Sequence, residues 1–177
     1  MSDAWVCPEC GLDYGTLHPP FAINTIKSFP RRFTEALEPA APSEDNEAMI
    51  RTRPAPDVWS AIEYTAHVAD LMDEFAVVIH RIYSEASPTI GFSDPDEKAA
   101  SEKWNELPTE PLLGQLKANC AALVAEADRI DGAGWIRKAT FPWGERDLLT
   151  MLQNAAHEGV HHLKDVEKVL TRVRSAS

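Results

Sequence analysis

Between Val58 and Tyr83 the apolar residues recur at helical spacing. Val58, Ile62, Thr65, Ala69, Met72, Ala76, Ile79 and Tyr83 fall on one stripe, widened by Leu71, Phe75 and Ile82. Glu63, Asp70, Glu74 and Arg81 fall on the opposite face. A helix patterned this way must bury its stripe against another element. Three further segments carry the same period. They are Ile23, Ile26, Phe29, Phe33 and Leu37; then Leu112, Leu116, Cys120, Leu123 and Ala127; then Leu148, Leu149, Leu152, Ala156, Val160, Leu163, Val166 and Leu170. Four amphipathic helices with no clear sheet predict an all-α chain folded as an antiparallel four-helix bundle.

The punctuation sets the expected boundaries. Pro30 kinks the first helix or marks its first turn. Asp57 is the expected N-cap of the second, which runs to about Ser84 and stops before Pro88. The third runs from Thr109 to Ile130 with Pro111 in its first turn, and the fourth from Glu145 to Val173. Residues 38–57 are a proline-rich connection, and the long polar connection 88–107 is a candidate lid or pocket wall. Residues 135–144 suit an extended segment or short hairpin laid across the bundle. Residues 1–20 form an N-terminal extension and 21–177 one bundle domain, a size that supports a single core.

Composition narrows the partners. A net charge of −11 argues against nucleic acid and against anionic membrane, both of which require a cationic footprint. No apolar run approaches the ~20 residues that span a bilayer. The first residues lack the basic and apolar blocks of a signal peptide, so a cytoplasmic protein is expected.

The chemistry concentrates at His157-Glu158-Gly159-Val160-His161-His162. His157 and His161 are four apart and stack on one helical face, close enough to share a metal ion. They lie well round from the apolar arc, beside Asn154, Lys164 and Asp165, which suits a solvent-reachable crevice. His67, at the edge of the second helix's stripe, is the expected third ligand, and three imidazoles leave a position for water or substrate. Glu158 and Asp165 are candidates to orient a ligand or accept a proton. His162 points differently and is expected in packing or in support of a ligand. The same letters match the H-E-x-x-H protease signature, but only 16 residues (162–177) follow His161, too few for the distant third ligand.

At the other end, Cys7-Pro-Glu-Cys10-Gly is a zinc-knuckle pattern, two thiolates on a tight turn. No second knuckle follows. His18 is the candidate third ligand, with Asp13 or a symmetry mate as fourth; the rival reading is a vestigial knuckle or a redox-labile thiol pair. Cys120 sits in an apolar stripe and is expected to be a buried, inert thiol.

From Ile23 onward the chain resembles the DinB/YfiT-like family of metalloenzymes. The resemblance rests on Ile62-Glu63-Tyr64-Thr65-Ala66-His67-Val68-Ala69-Asp70, on Phe141-Pro142-Trp143-Gly144-Glu145-Arg146, and most specifically on His157 through Val166. It implies a four-helix bundle, often dimeric, with a divalent metal (zinc or nickel) held by three histidines, here His67, His157 and His161. It also implies thiol chemistry with mycothiol or bacillithiol acting on a small-molecule substrate. The Cys7/Cys10 extension lies outside the shared bundle. Three functions follow as expectations: metal-dependent transfer of a low-molecular-weight thiol to an electrophile, hydrolysis, or a non-catalytic metal-binding role in stress response or interaction.

Overall fold

A computed structural model describes residues 5–176. Six helices and one hairpin follow in order: α1 (Pro19–Ala36), α2 (Asn46–Arg51), α3 (Ala61–Ser84), α4 (Pro95–Ser101), α5 (Thr109–Asp128), β1 (Lys138–Phe141), β2 (Gly144–Asp147) and α6 (Leu148–Ala176). The four predicted stripes are the inner faces of α1, α3, α5 and α6, and Phe29, Phe33, Met72, Ile79, Leu116, Leu123 and Leu148 fill the core between them.

Several boundaries differ from expectation for local reasons. The first turn of α1 holds Pro19 and Pro20, and Pro30 lies inside the helix. Ser60, not Asp57, caps α3, because Ser60 and Glu63 close a reciprocal capping box. That box also takes Glu63 off the polar face. It is 2% exposed, accepting from the Ser60 backbone N–H at 2.9 Å and paired with Arg53. Glu145 belongs to β2, and α6 starts after Asp147, whose carboxylate accepts the Thr150 N–H at 2.8 Å. The connection 38–57 contains α2, and 88–107 contains α4.

Helix directions can be followed from contacts along the bundle. At one end of α6, Gln153 donates to the carbonyls of Tyr14 and Leu17; at the other, Arg174 donates to Glu38. So α1 and α6 run parallel. Asn119 donates to the Ala69 carbonyl and His80 meets Glu126, so α3 and α5 also run parallel. His67 faces His162, while Arg137, which precedes α6, reaches Ile82 at the end of α3. The two pairs are therefore antiparallel to one another. The expected bundle is present, but not as a simple up-and-down one: α1 and α3 are diagonal, as are α5 and α6.

The hairpin joins α5 to α6. β1 and β2 pair antiparallel from Lys138↔Asp147 to Phe141↔Gly144, and Gly144 takes φ +109°, which favours glycine. Thr140 also exchanges backbone hydrogen bonds with Pro88 and Ile90, both 2.9 Å. That contact ties the segment after α3 to the hairpin and brings Phe92 onto Phe141 and Trp143.

Candidate metal centre

Among the described residues, ligand-type side chains gather on α6 in three groups: two use alternate pairs from the same turn, and a third, Glu9 and Asp165 about His161, shares that histidine with one of them. In the first, His67 of α3 meets Glu158 and His162 of α6, with one ligand atom from each within 4.8 Å of the others. In the second, His157 and His161 of α6 meet Cys7 and Cys10 by the same measure.

The first group is built into the bundle. His67 is 8% exposed and boxed edge-on by Trp59, with Trp104 behind it. Its ring lies 4.8 Å from that of His162, on which Tyr64 stacks. The His162 Nδ1 meets Asp165 at 3.1 Å and its Nε2 meets Glu158 at 3.2 Å. Burial lowers His67 to about 4, helped by the neighbouring His162 charge, so its imidazole is neutral at pH 7. Burial pulls His162 the same way, but Asp165 and Glu158 outweigh it and raise the group to about 9. Burial opposes ionisation of Glu158, yet hydrogen bonds to His157 and His162 hold its carboxyl far below the usual range.

A divalent ion fits these residues. The His67 Nδ1 is buried with no hydrogen-bond partner, a costly state for a polar atom that metal ligation would relieve. Asp165 on the Nδ1 of His162 is the carboxylate–histidine pairing that fixes ligand imidazoles in metal sites. Two histidines and one carboxylate is also the composition of catalytic sites, which keep a position for substrate.

A cavity of about 260 Å³ adjoins His67 and Glu158. One wall is aromatic, with Phe75, Phe92 and Trp143. The other carries Lys98 of α4, ion-paired to Asp70 and to Glu74 at 3.4 Å. The connection 88–107 thus supplies a pocket wall. A larger cavity between α1 and α5, about 970 Å³, borders none of these groups.

The second group lies against the outer side of α6. The extension is a turn: Gly11 N–H donates to the Cys7 carbonyl, Cys7 N–H to Leu12, and Tyr14 N–H to Trp5. Gly11 sits at φ +75°, as the bend after a knuckle requires. Tyr14 donates to Asn154 at 3.0 Å, and the rings of Trp5 and Tyr14 pack on His157. The Cys7 thiol is drawn down to about 6, chiefly by the Cys10 backbone N–H and, against the cost of burial, by His157 and His161. Burial pushes the Cys10 thiol up.

The expected ligands are therefore distributed differently. His157 and His161 are together, but with Cys7 and Cys10 rather than with His67. His67 instead joins Glu158, expected only as a support, and His162, expected only in packing. Asp165 lies 3.1 Å from the Nδ1 of His162. His18 is exposed and precedes α1, and Asp13 accepts the Gly15 N–H; neither joins the cysteines. The aromatic box of Trp59 and Trp104 was not anticipated. Cys120 is buried as expected, and burial pushes its thiol up to about 12.

Comparison with known proteins places the chain. A sequence model of the DinB superfamily matches residues 26–166, and the chain belongs to that superfamily. Among solved structures it is similar to YfiT from Bacillus subtilis, described as a probable metal-dependent hydrolase with an unusual four-helix bundle topology. The TM-score is 0.77 at 15% identity, covering 87% of this chain and 86% of that one. It is also similar to a mutant mycothiol-dependent maleylpyruvate isomerase, with a TM-score of 0.66 at 14% identity, covering 92% of this chain and 70% of that one. A comparison with curated protein sequences finds no match.

Proposed function

For this member of the DinB superfamily, we propose a divalent-metal-dependent enzyme whose ion is held by His67, Glu158 and His162. It acts on a small electrophile bound in the adjoining cavity, with a low-molecular-weight thiol of the mycothiol type as nucleophile. The observation that carries the reading is the convergence of three ligand atoms within 4.8 Å of one another beside a cavity of about 260 Å³. Zinc and nickel both suit two imidazoles and a carboxylate. When bound, such an ion supplies a lowered pKa, so that a thiol or water is deprotonated at neutral pH.

The chain's own residues do the rest. Asp165 accepts from the Nδ1 side of His162 and so presents Nε2 toward Glu158 and His67. Burial keeps His67 neutral and available as a donor. Phe75, Phe92 and Trp143 offer an apolar wall for the body of a substrate. Asp70, Glu74 and Glu158 outnumber Lys98 at the cavity, an acidic excess that favours a cation.

The likeness to a mycothiol-dependent isomerase supports the thiol, and the likeness to YfiT supports water as a second nucleophile. One assay separates them: turnover of a panel of electrophilic and ester substrates with and without added thiol, before and after chelation. His67→Ala should remove one ion and abolish metal-dependent turnover while circular dichroism stays helical. Equal turnover by the chelated and the loaded protein would refute the reading.

A further inference from the structure

The N-terminal extension lies outside the matched bundle, yet its two thiols are buried against α6, the helix that carries two of the three proposed catalytic ligands. Cys7 is 3% exposed and Cys10 6%. Free thiols this deeply placed in a short surface turn need a reason, since the turn has little core of its own. The structure places two imidazoles on them. We infer that Cys7, Cys10, His157 and His161 form a second, closed metal site of the Cys₂His₂ class, occupied by zinc, which clips the extension onto α6.

Three observations carry this. The donor set is complete, since four nitrogen and sulfur ligands fill a tetrahedral ion without water, the mark of a structural rather than a catalytic site. The spacing is right as well. Zn–S near 2.3 Å and Zn–N near 2.0–2.1 Å at a tetrahedral angle separate sulfur and nitrogen by about 3.6 Å. The Cys7 Sγ and His161 Nδ1 stand 3.7 Å apart. Finally, the His157 Nε2 is buried with no hydrogen-bond partner, although Trp5 and Tyr14 pack on the same ring. Orphaned ring nitrogens are uncommon, and this one lies on a residue already grouped with two thiols.

Binding would release the thiol protons to solvent and leave a neutral complex, two thiolates against one dication. The consequence is mechanical. The ion joins the extension to α6 at the turn that also presents Glu158 and His162 to His67, so the clip holds that turn in place from outside the bundle. This inference stands on different side chains from the proposed catalytic ion, and the two can fail separately.

The test uses the full chain. Metal is removed, cobalt(II) is added as a spectroscopic stand-in for zinc, and zinc per chain is counted in parallel. The expected result is a thiolate-to-cobalt charge-transfer band in the wild-type protein. It should be lost in Cys7→Ser/Cys10→Ser and kept in His67→Ala. Zinc should fall by one ion per chain in the double serine variant, while the His67-dependent ion remains. Alkylation of Cys7 and Cys10 in the wild-type protein should slow at least tenfold when zinc is added, a readout that needs no variant to fold. Absence of the band, its survival in the double serine variant, its loss in His67→Ala, or zinc-independent alkylation would each overturn the inference. If His67→Ala changes neither ion count nor turnover while the serine variant loses its ion, the clip stands and the proposed catalytic centre falls.

Discussion

Gly159 lies within both i,i+4 pairs of ligand-type side chains on α6, and replacing it with alanine tests whether close α1–α6 packing sets their geometry. A Cβ built there would stand 2.2 Å from Cε2 and 2.3 Å from Cζ of Phe29, with Cδ2 at 2.8 Å. Carbon atoms pack at about 3.5–4.0 Å, so the ring or the helix must move by more than an ångström. The ring has nowhere to go: Phe29 is fully buried and Phe33 packs edge-on against it at 6.3 Å. Overpacking of this kind costs about 1–3 kcal/mol, and a clash this deep belongs at or above the upper end. Alanine returns about 1 kcal/mol in helix propensity. The net is about 2 kcal/mol of destabilisation, a fall in Tm of roughly 4–8 °C for a chain of this size. Calorimetry of Gly159→Ala, of Phe29→Ala and of the double variant checks it. In the Phe29→Ala background the alanine should become neutral or stabilising, because only the propensity gain survives. A wild-type background in which Gly159→Ala raises Tm would refute the packing account.

Two other changes probe separate links. Asp165→Asn keeps the shape but weakens the partner that fixes His162, and should lower affinity at the His67 site about 10–100-fold in a chelator competition titration, with the helix content unchanged. Glu63 gives the stability a pH dependence. Burial alone would raise its carboxyl, but Arg53 and the Ser60 cap hold it below the usual range, so its contribution is present above the unfolded pKa of about 4.3 and is lost as pH falls through the folded value. Glu63→Gln should cost about 2 kcal/mol at pH 7, discounted because Arg53 is 39% exposed, and should flatten the fall of urea midpoints as pH drops below about 5.

Helix periodicity made the bundle legible because each stripe needs only its own segment to be recognised. Helix direction was not, since the pairing of α1 with α6 and of α3 with α5 depends on how the long connections cross the ends. Glu63 shows a second limit. Its position on the wheel is polar, and only the tertiary approach of Arg53 makes burial there affordable. Cys120 was readable because its stripe neighbours are all apolar, and burial is what pushes its thiol up.

Which ligand-type side chains come together turns on about 100° of helix, the rotation per residue. Leu152, Gly159, Leu163 and Val166 are buried and centre the inward arc of α6. On an ideal helix His162 lies roughly 70° from that centre and His161 roughly 170°. The outlying position of His157 and His161 was visible in the sequence and implied a crevice. What the letters did not show is which chain segment supplies its other wall. A pair facing away from the bundle is poorly placed to meet His67, which comes from α3 inside it. Such a pair can be covered only by a segment outside the four helices, and residues 5–14, carrying Cys7 and Cys10, are that segment. The inward pair, Glu158 and His162, then faces α3 at the depth of His67. One turn of six residues thus contributes to two groups of ligand-type side chains because two i,i+4 pairs one residue apart point to different neighbours.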